Sequence, residues 1–176
     1  MQLKWTAVAL AALALVACGK KEEAAAPAAP APTAAAPAPA APPADAVVVK
    51  IGHVAPTSGA IAHLGKDNEF GARMAIEDLN AKGIKIGDKV AKFELLAEDD
   101  AADPKQGTAV AQKLVDSKVN GVVGHLNSGT TIPASKLYSD AGIPQISPSA
   151  TNPKYTRQGF KTTFRVVADD TQLGGT

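Results

Sequence analysis

Two groups of hydroxyl side chains offer the most chemistry in this sequence. One is the run Ser128-Gly129-Thr130-Thr131, and the other is Ser147, Ser149 and Thr151 in the stretch that follows. Hydroxyls at the entry to a helix lie beside unpaired backbone N–H groups and the positive end of the helix dipole, which together stabilise an anion such as a carboxylate. The same residues also suit plain helix capping. Both readings stand at Ser128 and Thr130, and the repeated hydroxyls at 147, 149 and 151 favour the ligand. Other chemistry finds little support. His53, His63 and His125 are scattered, without a paired nucleophile or metal-ligand spacing. His125 reads as a packing residue, with orientation of the Ser128 loop as its alternative role. Asp99, Asp100 and Asp103 cluster, but two are adjacent and the third can cap a helix, so they read as loop and helix-start residues rather than a cation site. Ser128 lacks the glycine that a G-x-S-x-G nucleophile elbow requires. Gly52, Gly59 and Gly65 do not make a dinucleotide signature. No cofactor and no metal is expected. A hydrolytic α/β enzyme stands as an alternative that an ester or amide turnover assay separates from passive capture.

Alternating strands and helices must position these groups. The apolar run at 47–54, Val47-Val48-Val49-Lys50-Ile51-Gly52-His53-Val54, marks a strand buried on both faces. Ala72, Ala75, Ile76 and Leu79 then share one helical face, and Gly83 can close that helix. Residues 90–97 read as the next strand, with Phe93 and Leu95 on one side. Asp103-Pro104-Lys105-Gln106 is a strong helix start: Asp103 caps, Pro104 fits the first turn, and Gln106 sits at the reciprocal capping position. Val110, Ala111 and Leu114 form its buried stripe. Residues 119–124 read as a strand, followed by a helix with Ala134, Leu137, Tyr138 and Ala141 on one face and Gly142 at its end. Residues 143–146 and 160–167 complete five strands. Short joins between such units predict an open parallel sheet with helices on both faces. Ligands of such sheets sit beyond the carboxyl ends of the strands, where the loops 53–59, 124–131 and 147–152 all arrive.

Before this region lie two segments that cannot build a core. Residues 5–16 are apolar apart from Thr6, too short for a permanent span of about 20 residues but suited to an export leader. The stretch Leu15-Val16-Ala17-Cys18-Gly19 resembles the processing box of bacterial lipoproteins, so residues 1–17 are expected to be a signal peptide and Cys18 a lipid acceptor. Cys18 is the only cysteine, and two or more acyl chains there would hold the protein on a membrane surface. Gly19 after the cysteine, by resemblance to sorting in cells with two membranes, favours the outer membrane's periplasmic face. Residues 18–46 carry the acylated cysteine and an alanine–proline tether, whose prolines exclude helix and favour an extended spacer. Overall charge is balanced, with 18 basic and 17 acidic residues and no basic block, which argues against a nucleic-acid partner.

The order and spacing of several stretches resemble the N-terminal part of branched-chain amino acid ABC-transporter substrate-binding proteins, of the type I periplasmic binding fold. They are Ile51-Gly52 with Pro56-Thr57-Ser58-Gly59, GARMAIEDLNAKG at 71–83, DDAADPKQ at 99–106, VVGHLNSGTT at 122–131 and ISPSATNP at 146–153. The resemblance implies that 47–168 is the first lobe of a two-lobed receptor and 169–176 the start of the crossover to a second. It implies capture of a small amino acid and delivery to an ABC permease with its ATPases; a sensor of the same fold, for an amide or another small molecule, is the alternative. By resemblance, Ser128 binds the ligand carboxylate through its hydroxyl, with a backbone N–H at Thr130 assisting. The Ser149 carbonyl receives the ammonium, and the Thr151 hydroxyl contacts the same head group. Leu64 stands where relatives often present an aromatic ring to the ligand side chain. Ala102 and Asn127 stand where some relatives carry a disulfide. The second lobe would supply an acidic partner for the ammonium, and the sequence is expected to be a partial one.

Overall fold

The run at 47–54 forms the centre of a sheet, as its lack of polar interruptions requires. The computed structural model describes residues 45–174; the leader, Cys18 and nearly all of the tether lie outside the described residues. Strand β1 (Val47–Ala55) is followed by α1 (Ala62–Ala81), β2 (Lys85–Ile86), β3 (Lys89–Asp99), α2 (Pro104–Asp116), β4 (Gly121–Gly124), α3 (Ser128–Asp140) and β5 (Gln145–Ser147). A 3-10 turn at Pro153–Arg157, strand β6 (Thr163–Arg165) and the short helix α4 (Asp170–Leu173) complete the described chain. The strand order is β2-β3-β1-β4-β5-β6, parallel throughout except for the antiparallel β2–β3 pair.

Local chemistry explains most boundaries. Asp103 Oδ1 accepts the Gln106 N–H at 2.8 Å and Pro104 opens α2, as its sequence predicts. Gly83 turns the chain after α1 with a positive φ of 59°, and Gly142 does the same after α3 at 70°. Three details differ from the expectation. Helix α1 begins at Ala62, well before its apolar stripe. Strand β2 is added by a tight turn through Gly87, at φ 61°, whose flanks hold too few apolar residues to announce a strand. The last strand shrinks from 160–167 to three residues, because Val166 and Val167 stand exposed beyond the sheet.

Alternate side chains of the strands point to opposite faces. Val54, Val122 and Leu96 face α2 and α3, where Ala111, Leu114, Ala134 and Tyr138 are fully buried. Ile51, Leu95 and Val123 face α1 and line an apolar groove of about 460 Å³ together with Ala72, Ala75 and Ile76. Helices therefore lie on both faces, α2 and α3 on one side and α1 on the other. Leaving the short edge strand β2 aside, chain order reverses at β1, since β3 lies on one side of it and β4 on the other. The gap beyond the carboxyl ends of β1 and β4 is the place where this class of sheet receives ligands.

Candidate functional site

The turn that leaves β4 is held from below by a buried polar chain. His125 Nδ1 lies 3.0 Å from Asp100 Oδ2, and Nε2 lies 3.1 Å from the Tyr138 hydroxyl. All three side chains are buried. Burial keeps the imidazole pKa below its ordinary value, even though the hydrogen bond and charge of Asp100 pull it upward. Burial also pushes Asp100 upward, but hydrogen bonds from His125 and the Ala102 N–H outweigh it and leave the carboxyl below its usual range. Burial raises the Tyr138 hydroxyl well above its usual value. These shifts fit a neutral histidine that donates from Nδ1 to a carboxylate and accepts from the tyrosine. The alternative role for His125, orienting the Ser128 loop, is thus given geometry: its carbonyl accepts from the Ser147 hydroxyl at 2.8 Å and shares, at 3.1 Å, the Thr131 hydroxyl proton that also reaches the Asn127 carbonyl at 2.7 Å.

Those two bonds tie both hydroxyl loops to one backbone oxygen. Ser147 Oγ also accepts the Ala150 N–H at 2.9 Å, closing the turn that carries Ser149 and Thr151. Gly124 must be glycine here: its φ is 135°, and a Cβ would fall 2.4 Å from the Val54 carbonyl oxygen. The peptide bond between Gly124 and His125 is cis.

Above this scaffold Ser128 is half-buried in the first turn of α3. Its Oγ accepts the Asn152 N–H at 3.1 Å, so its own proton stays available to donate. The N–H groups of Ser128 and Gly129 have no acceptor among the described residues. Thr130 differs from the expectation placed on it. It is buried, and both its N–H and its hydroxyl donate to the Asn127 carbonyl, each at 3.1 Å. The open amide donors of this turn therefore belong to its two preceding residues.

Across the cleft, the Ser149 hydroxyl donates to Asn68 Oδ1 at 3.1 Å, while its carbonyl and the Thr151 hydroxyl have no partner among the described residues. Asn68 in turn donates to the Leu64 carbonyl at 3.3 Å, which brings the first turn of α1 beside the Ser149 loop. Leu64 is 43% exposed, and its helix approaches the loop after β1 so closely that a Cβ on Gly65 would meet the Pro56 carbonyl oxygen at 2.0 Å. Ser128, Ser149, Thr151 and the turn bearing Leu64 thus converge at the carboxyl edge of the sheet.

The aspartate cluster serves the backbone: Asp99 accepts the N–H groups of Thr57 at 2.9 Å and Ala101 at 2.8 Å, Asp100 pairs with His125, and Asp103 caps α2. Sequence reasoning missed Asn68 and Arg165. Arg165 donates to the carbonyls of Ala150 and Asn152 at 3.3 and 3.0 Å. One arginine in a short strand gives no local sign of that long-range grip.

The model of the periplasmic binding protein family matches residues 48–176. The leucine-specific-binding protein of Salmonella typhimurium is 47% identical over 129 residues, covering 73% of this chain and 34% of that protein. The Leu/Ile/Val-binding protein homolog 1 of Brucella abortus is 45% identical over 126 residues, covering 72% of this chain and 33% of its own length. Among solved structures, the branched-chain amino acid transporter substrate binding protein LivJ from Streptococcus pneumoniae, in complex with isoleucine, superposes with a TM-score of 0.65 at 34% identity. That match covers 71% of this chain and 35% of LivJ. The chain spans about a third of the length of the curated relatives it matches. With the strand order, the cleft at the reversal of chain order and the family model in agreement, the chain belongs to the periplasmic binding protein family.

Proposed function

We propose that this chain is the first lobe of an extracytoplasmic receptor that captures a branched-chain amino acid and hands it, unaltered, to an ABC permease driven by its ATPases. The observation that carries the reading is the set of unused polar valences along one cleft edge: the Ser128 proton and two amide N–H groups on one loop, and the Ser149 carbonyl and Thr151 hydroxyl on the other. Donors on one side and acceptors on the other suit a carboxylate and an ammonium carried on a single carbon. Ser128 then donates to the carboxylate, while the Ser149 carbonyl and Thr151 hydroxyl receive the ammonium. Thr130 braces the Ser128 turn from within, and Leu64 meets the aliphatic side chain. The second lobe supplies the remaining wall of the pocket. The leucine and isoleucine in the names of the relatives support this substrate class.

Calorimetry on the full-length two-lobed protein, against amino acids, amides and sugars, tests the proposal. Loss of the Ser128 hydroxyl removes a hydrogen bond to a charged group, worth roughly 1.5–3 kcal/mol or about 10- to 150-fold in affinity. Ser128→Ala should fall in that range and Thr151→Ala should also weaken binding. Unchanged affinity in both rejects the residue roles, capture of a sugar alone rejects the substrate class, and chemical turnover moves the protein to the enzymes. We further propose that Cys18 is acylated and anchors the receptor to a membrane, the outer one in a cell with two. Cys18→Ser should release it or leave a precursor, and an unmodified soluble mature N-terminus in the wild type, seen by mass spectrometry, would end that idea.

A further inference from the structure

We infer that Arg165 is a positioning residue for ligand capture: it fixes the 150–152 loop, and through that loop the ligand-facing hydroxyl of Ser128. The inference rests on the proposed role of Ser128. The Arg165 side chain is 8% exposed and reaches four acceptors. Nη1 donates to the carbonyls of Ala150 at 3.3 Å and Asn152 at 3.0 Å; Nη2 donates to Thr156 Oγ1 at 3.3 Å and Asp169 Oδ2 at 3.4 Å. The carbonyl between those two, that of Thr151, accepts the Asp170 N–H at 2.9 Å. Three consecutive carbonyls of the loop are therefore held from the side of β6 and α4. The peptide unit joining Thr151 to Asn152 is gripped at both ends, its oxygen by Asp170 and its N–H by Ser128 Oγ. A shift of this unit moves the Ser128 oxygen or removes its partner.

An ordinary ion pair does not account for the arrangement. Asp169 already has a second guanidinium, Arg157 Nη2 at 3.1 Å, and its other oxygen accepts the N–H groups of Thr171 and Gln172. Arg157 is largely exposed and neutralises the same carboxylate without touching the loop carbonyls. What Arg165 adds is its planar fork, which spans two carbonyls at once; a lysine ammonium in its place keeps the charge near Asp169 but not that geometry.

The test is a double-mutant cycle in the full-length protein, titrated with L-leucine, with thermal unfolding recorded for each variant. Arg165→Lys keeps a cation against Asp169 and should remain folded. It should weaken leucine roughly ten-fold, while Ser128→Ala in that background should cost no more than about two- to three-fold, because residues acting through one contact are non-additive. Arg157→Met, which disturbs the same carboxylate but not the loop, should stay within about two-fold of the wild type, the size of change expected away from a coupled network. Leucine affinity unchanged in Arg165→Lys, losses that multiply fully with Ser128→Ala, or an equal loss in Arg157→Met would each overturn the inference alone. Wild-type affinity in Ser128→Ala would overturn the reading of Ser128 and this inference with it.

Discussion

The two faces of the sheet are made by alternate residues of the same strands, yet they end differently. On the side of α2 and α3, Val54, Leu114, Ala134 and Tyr138 lose all contact with solvent, and the buried Asp100–His125–Tyr138 chain is satisfied at each of its named contacts. On the side of α1, Ile146 is 40% and Phe164 49% exposed, and an apolar groove runs between helix and strands. A difference this sharp within one sheet shows that amphipathic pattern specifies which side chains face inward, while packing density depends on what is laid over them. The two hydroxyl loops rest on the closed side, so the precision of the candidate site is borrowed from the well-packed half of the lobe.

Substitutions can break or sharpen this contrast. Leu114→Ala, deep in the closed face, should cost about 3 kcal/mol in urea unfolding, from lost burial and the cavity left behind. A loss below about 1 kcal/mol would show that the closed face collapses around holes and is not rigid. His125→Leu should cost about 2–3 kcal/mol, since it leaves the Asp100 carboxylate buried with one partner fewer. Asp100→Asn in the same background should recover part of that loss, and failure to do so would remove the buried charge as its cause.

A smaller effect is expected from pH. Burial lowers the pKa of both His125 and His53, so the unfolded chain binds protons more readily than the folded one as pH falls through the ordinary histidine value of 6.5. Stability rises with pH wherever the unfolded state holds more protons. The contribution is therefore complete above the unfolded value and lost as pH falls from there towards the depressed folded values. The thermal midpoint should drop across that interval, and His125→Gln should flatten the slope without abolishing it, because His53 remains. An unaltered slope in His125→Gln would sink the assignment. The smallest effect belongs to the open face: Ile146→Ala should cost less than about 1 kcal/mol, because much of its side chain stays in water already. A cost matching that of Leu114→Ala would erase the contrast.

Much of this was legible before any coordinates. The Asp103 cap and Pro104 at the start of α2 are local chemistry and form as expected, whereas the Gln106 side chain turns to the Asp99 carbonyl instead of back to the Asp103 N–H. The loops that carry Ser128, Ser149 and Thr151 arrive at the carboxyl edge of the sheet because strand–helix turns of a parallel sheet must end there. Other features are not local. The start of α1 at Ala62 depends on Gly65 fitting against the Pro56 carbonyl, which no periodicity reports. The Asp100–His125–Tyr138 chain joins three separate elements, and the Arg165 grip joins β6 to a loop more than ten residues away. Periodicity assigns residues to faces; it cannot say which buried polar groups will find one another.

The peptide unit between Thr151 and Asn152 has one more consequence. The Asp170 N–H points at its oxygen and its own N–H points at Ser128 Oγ, which leaves the serine proton free to donate. These dipoles run head to tail in a single direction. Each bond in such a chain polarises the next, strengthening donors at the far end by about 10–30% per bond. The serine proton is then a better donor than that of a solitary hydroxyl, with no formal positive charge placed in the cleft. On the proposed reading, an anion in the cleft would be held by aligned neutral groups rather than by a fixed charge, and that hold weakens once water returns.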